Sequence, residues 1–309
     1  MAVYLRAFRE TDYAELTALY NRCRPEVPET EASIRAFDRA FKEEELLNIV
    51  AADGASLVGA AWAHPHQTGE GQVLVDILAA NGEQELADRL YEVALEHLRA
   101  TTTSVLVRVR ENWVEWLEFY AARGFREYER MWESRLTLAT FAPETFSGAV
   151  ERVTSAGIDI KTLADLPDTE MTQRRLYDVI VELLGDVPFE GTLNIWPFEV
   201  WQRRFWAHPS RRPESFFLAL DRDEIVGVSE LRAGARSDWL YTGLTGVKRN
   251  YRRRGIALAL KLSALQYARD SGFAVISTQN HMDNRLMLSI NEALNFIKEP
   301  AWIKLEKAL

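Results

Sequence analysis

The sequence predicts two tandem α/β domains of one duplicated fold, each a mixed central sheet flanked by helices. Three observations predict it. The chain has 309 residues, a length that suits two domains of ordinary size. Strand-like and helix-like patterns run in the same order through both halves. The spacing from the start of the long helix to the aromatic residue after the last helix is also nearly equal, 39 residues from Leu86 to Phe125 and 38 from Leu258 to Phe296. Two unrelated α/β domains of similar size are the alternative.

In the first half, strand patterns occupy residues 3–6, 47–52, 57–64, 72–78, 104–109 and 131–138. Helical patterns occupy 10–24, 31–41, 83–99 and 113–123. Pro25 must stop the first helix and Gly124 the last. Leu86, Leu90 and Ala94 share one face of the long helix. Pro, Ser, Thr and Gly without periodicity follow, so the expected division is a domain at 1–140, a linker at 141–156 and a second domain at 157–309. In that second domain, strands are expected at 158–161, 214–220, 225–232, 239–247, 274–278 and 302–306. Helices are expected at 172–184, 198–206, 255–270 and 284–294.

Composition narrows the function. Hydrophobic residues make up 47% and charged residues 27%, as in a globular protein with sizeable cores. A net charge of −9 repels phosphate backbones, so nucleic acid is not an expected partner. No apolar run approaches the ~20 residues that span a bilayer, and the start of the chain does not resemble a signal peptide. The single cysteine, Cys23, excludes an intrachain disulfide and is expected to be a buried thiol in a reducing compartment. The expected location is cytoplasmic, and the expected state a monomer or weak dimer. His64 and His66 have no third ligand at clear spacing, so no metal is expected.

The most informative stretch runs from Thr245 to Ala257. A β-branched strand ends at Val247, a basic turn follows, and Gly255 opens an apolar helix. Helix starts expose unpaired N–H groups and a partial positive charge, a natural seat for a diphosphate. Gly255 lets the phosphate approach, and Ala257 keeps the first turn slim. Arg252, Arg253 and Arg254 oppose the helix dipole there, which costs stability unless an anion arrives. A solvated arginine run is the plainer alternative. Neither a Walker motif nor a three-glycine dinucleotide fingerprint is present.

This stretch resembles the GNAT superfamily of N-acetyltransferases. The family pattern Arg/Gln-x-x-Gly-x-Gly/Ala stands here as Arg252-Arg-Arg-Gly255-Ile256-Ala257, between a strand and a helix. The resemblance covers most of the second half and, more faintly, the first. It implies tandem GNAT domains similar in layout to the mycothiol synthases, the second binding acetyl-CoA. The N–H groups from Arg253 to Ala257 would grip the CoA pyrophosphate. The backbone of Thr245, Gly246 and Val247 would pair with the pantetheine arm like an added strand.

Downstream, Asn280, Asn284, Met287 and Asn291 are read either as contacts to CoA or, for the asparagines, as satisfied core residues. The family ending Asn-x-x-Leu-Gly-Phe stands here as Asn291-Glu-Ala-Leu294-Asn295-Phe296, with Asn295 in the glycine's place. Many members carry a general-acid tyrosine where Asn291 stands; the matching first-half residue is Tyr120. A thiol of pKa ~8.5 can leave without an acid.

The implied activity is acetyl transfer to a primary amine of a small molecule or peptide by direct attack. Glu230 is the candidate base, or else a solvent-facing strand carboxylate, and Tyr241 is a second candidate. An N–H near Val247 would polarise the thioester oxygen. Asp186 and Glu190 are read as acids that attract a cationic acceptor, or as plain surface. Trp196, Trp201 and Trp206 wall that pocket or pack the core. At the matching turn of the first half, Glu83 and Glu85 replace the arginines and would repel pyrophosphate. The alternatives are a non-catalytic acyl-CoA sensor and a structural protein.

Overall fold

The computed structural model describes residues 3–39, 41, 47–66, 71–80, 83–99, 102–188, 195–206 and 211–309. The chain forms two compact units, and they are not its two consecutive halves. The first comprises residues 1–130 and 301–309, the second 131–189 and 195–300.

The first unit contains β1 (Tyr4–Ala7), β2 (Leu47–Asp53), β3 (Ser56–Pro65), β4 (Gln72–Ala79), β5 (Ser104–Arg110) and the last strand of the chain, β13 (Trp302–Ala308). They pair in that order, antiparallel except for β4–β5. Its helices are α1 (Tyr13–Cys23), α2 (Glu31–Asp38), α3 (Gln84–Leu98) and α4 (Val114–Ala121). Leu86, Leu90 and Ala94 of α3 are all buried, as their helical spacing requires.

The second unit receives the end of β6 (Arg126–Thr137), followed by β7 (Ile158–Thr162), β8 (Phe216–Asp221), β9 (Glu224–Ala233), β10 (Trp239–Val247) and β11 (Val275–His281). The order is β7-β8-β9-β10-β11-β6, antiparallel except for β10–β11. This repeats the topology of the first unit strand for strand, as one duplicated fold requires. The short β12 (Ile297–Lys298) pairs with β6. Helices α5 (Ala149–Ser155), α6 (Glu170–Leu184), α7 (Phe198–Trp201), α8 (Ile256–Asp270) and α9 (Arg285–Ala293) complete it.

Two expectations need correction. The strands expected to close each half are exchanged: Trp302–Ala308 lies on β5 in the first unit, and residues 131–137 lie on β11 in the second. The division at 140 and 157 therefore does not match the compact units. The expected linker also contains α5, which buries Ala149 and Val153 in the core against α8.

Both units stop their last helix in the same way. Phe125 N–H donates to Tyr120 O (3.1 Å) and Phe296 N–H to Asn291 O (2.9 Å). The residue before each aromatic has a left-handed backbone, Gly124 at φ 84° and Asn295 at φ 63°. Asn tolerates that geometry, so the stop survives the loss of glycine.

Candidate active site

In the second unit β10 and β11 run side by side only at first. Parallel pairing extends from Trp239↔Val275 to Thr242↔Thr278, yet β10 continues to Val247 and β11 to His281. Each strand keeps its outer partner: β9 pairs with β10 through Val247, and β6 pairs with β11 through His281. The register with β9 slips by one residue between Thr242 and Thr245, and the extra residue is a bulge that bends the strand. The result is a cleft that opens after Thr242.

The edge of β10 facing this cleft can be assigned. Lys248 N–H donates to Val226 O of β9 (2.9 Å). Backbone groups alternate along a strand, so those of Val247 and Thr245 point the other way, into the cleft. The Val247 carbonyl there accepts from Arg252 Nε (3.0 Å). A Cβ on Gly246 would lie 3.1 Å from the Leu183 side chain of α6, so glycine lets helix and strand pack closely.

The cleft leads to the basic turn. Gly255 caps α8 with φ 80°, and Arg253 also has a left-handed backbone at φ 61°. The first backbone bond of the helix is Ala259 N–H to Gly255 O (3.0 Å). The N–H groups from Arg253 through Leu258 have no acceptor among the described residues. Six consecutive donors at a helix start, ringed by exposed arginines, make an anion cradle of the kind a diphosphate requires. That donor set fits the pyrophosphate of a coenzyme A thioester.

Acidic side chains hold the turn in place. Asp186 pairs with Arg249 (Nε–Oδ1 2.8 Å) and with Arg252. The guanidinium of Arg249, then that of Arg252, holds the Asp186 carboxyl below the usual carboxylate range. Asp186 therefore anchors the basic turn and is not a lure for the acceptor. No spacing rule links residues more than sixty positions apart, so this pairing was not legible before the fold was known. Glu190 lies outside the described residues. Arg254 donates to Asn250 O (2.9 Å) and lies over the Tyr251 ring, while Arg253 forms no ion pair among the described residues.

Glu230 is 8% exposed, on the sheet face opposite α8, and accepts from Arg232 Nη2 (2.6 Å). It is a buried, paired carboxylate and not a solvent-facing one. Tyr241 shares that face, half-buried, in a row across four strands: Arg232 (β9), Tyr241 (β10), Ser277 (β11) and Arg135 (β6). A second buried carboxylate, Glu133, escaped the sequence reading. It is 3% exposed, accepts from Arg135 Nε (2.9 Å) and lies 3.3 Å from Ser277 Oγ. Only the exchange of β6 brings it there.

On the β11 side, Asn291 is 1% exposed and its Nδ2 donates to Asn280 Oδ1 (2.7 Å). The Asn291 Oδ1 is buried and has no donor among the described residues. Asn284 caps α9, accepting from Met287 N–H (3.3 Å). Trp201 and Trp206 are buried in the core with Phe198, and Trp196 packs at its edge. In the first unit, Cys23 is half-buried, with Sγ 3.5 Å from Ala79 O, and not fully buried as expected. Among the described residues no cluster could hold a metal ion, and no helix is long and apolar enough to cross a membrane.

Comparison with known proteins agrees with this geometry. Residues 179–289 match the acetyltransferase (GNAT) family, a span that includes β10, the basic turn and most of α9. A tandem GNAT protein from the clavulanic acid biosynthesis pathway superposes with a TM-score of 0.75 at 18% identity, covering 99% of this chain and 98% of that one. A GCN5-related N-acetyltransferase from Sphaerobacter thermophilus gives 0.72 at 18% identity, covering 99% and 95%. No curated protein matches the chain. The second unit thus carries the match to the acetyltransferase (GNAT) family, and the chain over its whole length has the fold of tandem GNAT proteins.

Proposed function

We propose that the second unit transfers acetyl from acetyl-CoA to a primary amine of a small molecule or peptide. The parting of β10 from β11 above a turn of unpartnered N–H groups carries this reading. In it, N–H groups from Arg253 to Ala257 bind the pyrophosphate, with Arg252, Arg253 and Arg254 adding charge. The cleft edge of Thr245, Gly246 and Val247 holds the pantetheine arm. Asn280, Asn284, Met287 and Asn291 line the far side, and the unmatched Asn291 Oδ1 accepts from a donor on the thioester arm.

The amine nitrogen attacks the thioester carbonyl carbon, the C–S bond breaks, and coenzyme A leaves as thiolate. The Val247 N–H stabilises the oxyanion. Glu230 takes the proton from the bound ammonium, directly or through water, so that the neutral amine can attack, with Tyr241 beside it. Support for these roles is the shared face of Glu230 and Tyr241 and its position at the mouth of the cleft. In this reading the first unit is a silent copy, the protein acts in the cytoplasm as a monomer or weak dimer, and no metal takes part. Calorimetric titration of the full chain should give one acetyl-CoA per chain, and an amine screen should reveal acceptor-dependent release of free thiol. Two equivalent sites, or release that no amine accelerates, would overturn the proposal.

A further inference from the structure

The first unit contains a cavity that the proposed transfer does not use. It measures about 270 Å³ and lies between α1, α2 and the sheet face of β2, β3 and β4. That is close to the lower end of small-molecule sites, roughly 300 Å³.

Comparison of the two units explains why the space exists. In the second unit α7 buries Phe198 and Trp201, and Trp206 follows, so aromatic side chains fill the corresponding region. In the first unit α2 buries none of its residues, and Phe37 is 43% exposed. Its rings stand around a void. Tyr20 and Trp62 lie on one wall with centroids 6.4 Å apart, and Phe8 and Phe37 also line it.

The charge of the wall is one-sided. Glu29, Asp38 and Asp76 line the cavity, and no lysine, arginine or histidine among the described residues does. Asp76 is neutralised from behind by Arg24 (Nη1–Oδ2 2.7 Å). Among the described residues Asp38 accepts from the Tyr13 hydroxyl (2.8 Å) and Glu29 from the Ser33 hydroxyl, and neither forms an ion pair. His64 attracts the Asp38 carboxylate but forms no ion pair with it among the described residues, and two partly buried carboxylates held this way are costly in such a wall. Electron-rich ring faces beside them attract the same kind of guest as the carboxylates do.

We infer that this cavity binds an organic ammonium ion with a small apolar body, the cation between the carboxylates and the face of Trp62, with the Tyr20 ring, itself against Arg24, walling the apolar body. The site lies wholly in the first unit and stands or falls independently of the acetyl-transfer reading.

Choline is a suitable probe, because its quaternary nitrogen cannot be acetylated, and titrating it without acetyl-CoA keeps its hydroxyl from turning over as well. The control is its uncharged carbon isostere, dimethylbutanol. Titration of the full chain, followed by calorimetry and tryptophan fluorescence, should show saturable choline binding at least about tenfold tighter than that of the isostere. Trp62→Leu should weaken it by a similar factor, and so should Asp38→Asn, which keeps an acceptor for Tyr13. Acetyl-CoA affinity should be unchanged in both variants. Equal affinity for the two probes, no saturable binding, or choline binding that survives Asp38→Asn in a folded protein would overturn the inference.

Discussion

The carboxylate of Glu230 occupies the space that a side chain on Gly243 would need: a Cβ built there overlaps Oε2. Gly243 lies in the bulge where β10 leaves β11, so the missing side chain sets Glu230 at the mouth of the cleft. If Glu230 is the base, Glu230→Gln should lower kcat by about a hundredfold and leave KM for acetyl-CoA nearly unchanged. Gly243→Ala should lower kcat about tenfold by displacing the same carboxylate, and the double variant should be no worse than Glu230→Gln alone. Steady-state kinetics with a responsive amine checks all three; additive losses would show that the two residues act separately.

Gly255 is required for a different reason. Its φ of 80° is one that side chains rarely adopt, and alanine there costs about 1 kcal/mol in backbone strain. Its Cβ would meet only Val153 at 3.7 Å, so the fold has room for it. A bound diphosphate approaching the same N–H groups would not. Gly255→Ala should therefore raise the Kd for acetyl-CoA at least about tenfold while Tm falls by only ~2–4 °C. Calorimetry beside thermal unfolding distinguishes this from general destabilisation, in which affinity would recover at low temperature.

What the sequence made legible follows from how local each signal was. The strand at Trp239–Val247, the basic turn and the apolar helix after it are contiguous, and the structure has the strand with those bounds. The alternation in residues 302–306 identified a strand, but a strand pattern does not say which sheet it joins. Hence the exchange of β6 and β13 was invisible, and with it the approach of Glu133 to Ser277. α5 was missed because seven residues bounded by Gly148 and Gly157 give too short a period. The clamp of Asp186 on Arg249 and Arg252 is a tertiary contact between elements far apart in sequence.

Arg24 shows how the first unit differs from the second. β4 and β5 also part, after Val75↔Val107, while β4 continues to Ala79. Here the buried Arg24 reaches the Ile77 carbonyl (3.3 Å) and both oxygens of Asp76, with the Tyr20 and Trp113 rings each 5.1 Å from its guanidinium. The edge that a pantetheine arm would need is thus already engaged. Arg24→Ala should destabilise the protein by about 3 kcal/mol, because it empties a buried position and leaves the part-buried Asp76 without its ion pair. Pairing Arg24→Met with Asp76→Leu should restore most of the loss. Denaturant unfolding of the full chain measures both, and acetyl-CoA stoichiometry should stay at one in either variant.

Lys261 gives the clearest pH prediction. It sits in the middle of α8, 3% exposed, with its ammonium over the Phe296 ring at 5.3 Å and burial the one influence on its charge among the described residues. Burial pushes its pKa down to about 8 from the ordinary 10.5. A lysine depressed in the folded state binds fewer protons there than in the unfolded chain between those two values, so stability should rise with pH from about 8 to about 10.5. Below pH 8 both states are protonated and the penalty is constant, roughly 3 kcal/mol at 1.36 kcal/mol per pKa unit. Lys261→Met keeps the length of the side chain and removes the charge. It should raise stability at pH 7 by a few kcal/mol and flatten the rise above pH 8, as read from denaturant midpoints across that range. A variant that loses stability at pH 7 would instead mean that the ammonium is held by the Phe296 face strongly enough to offset its burial.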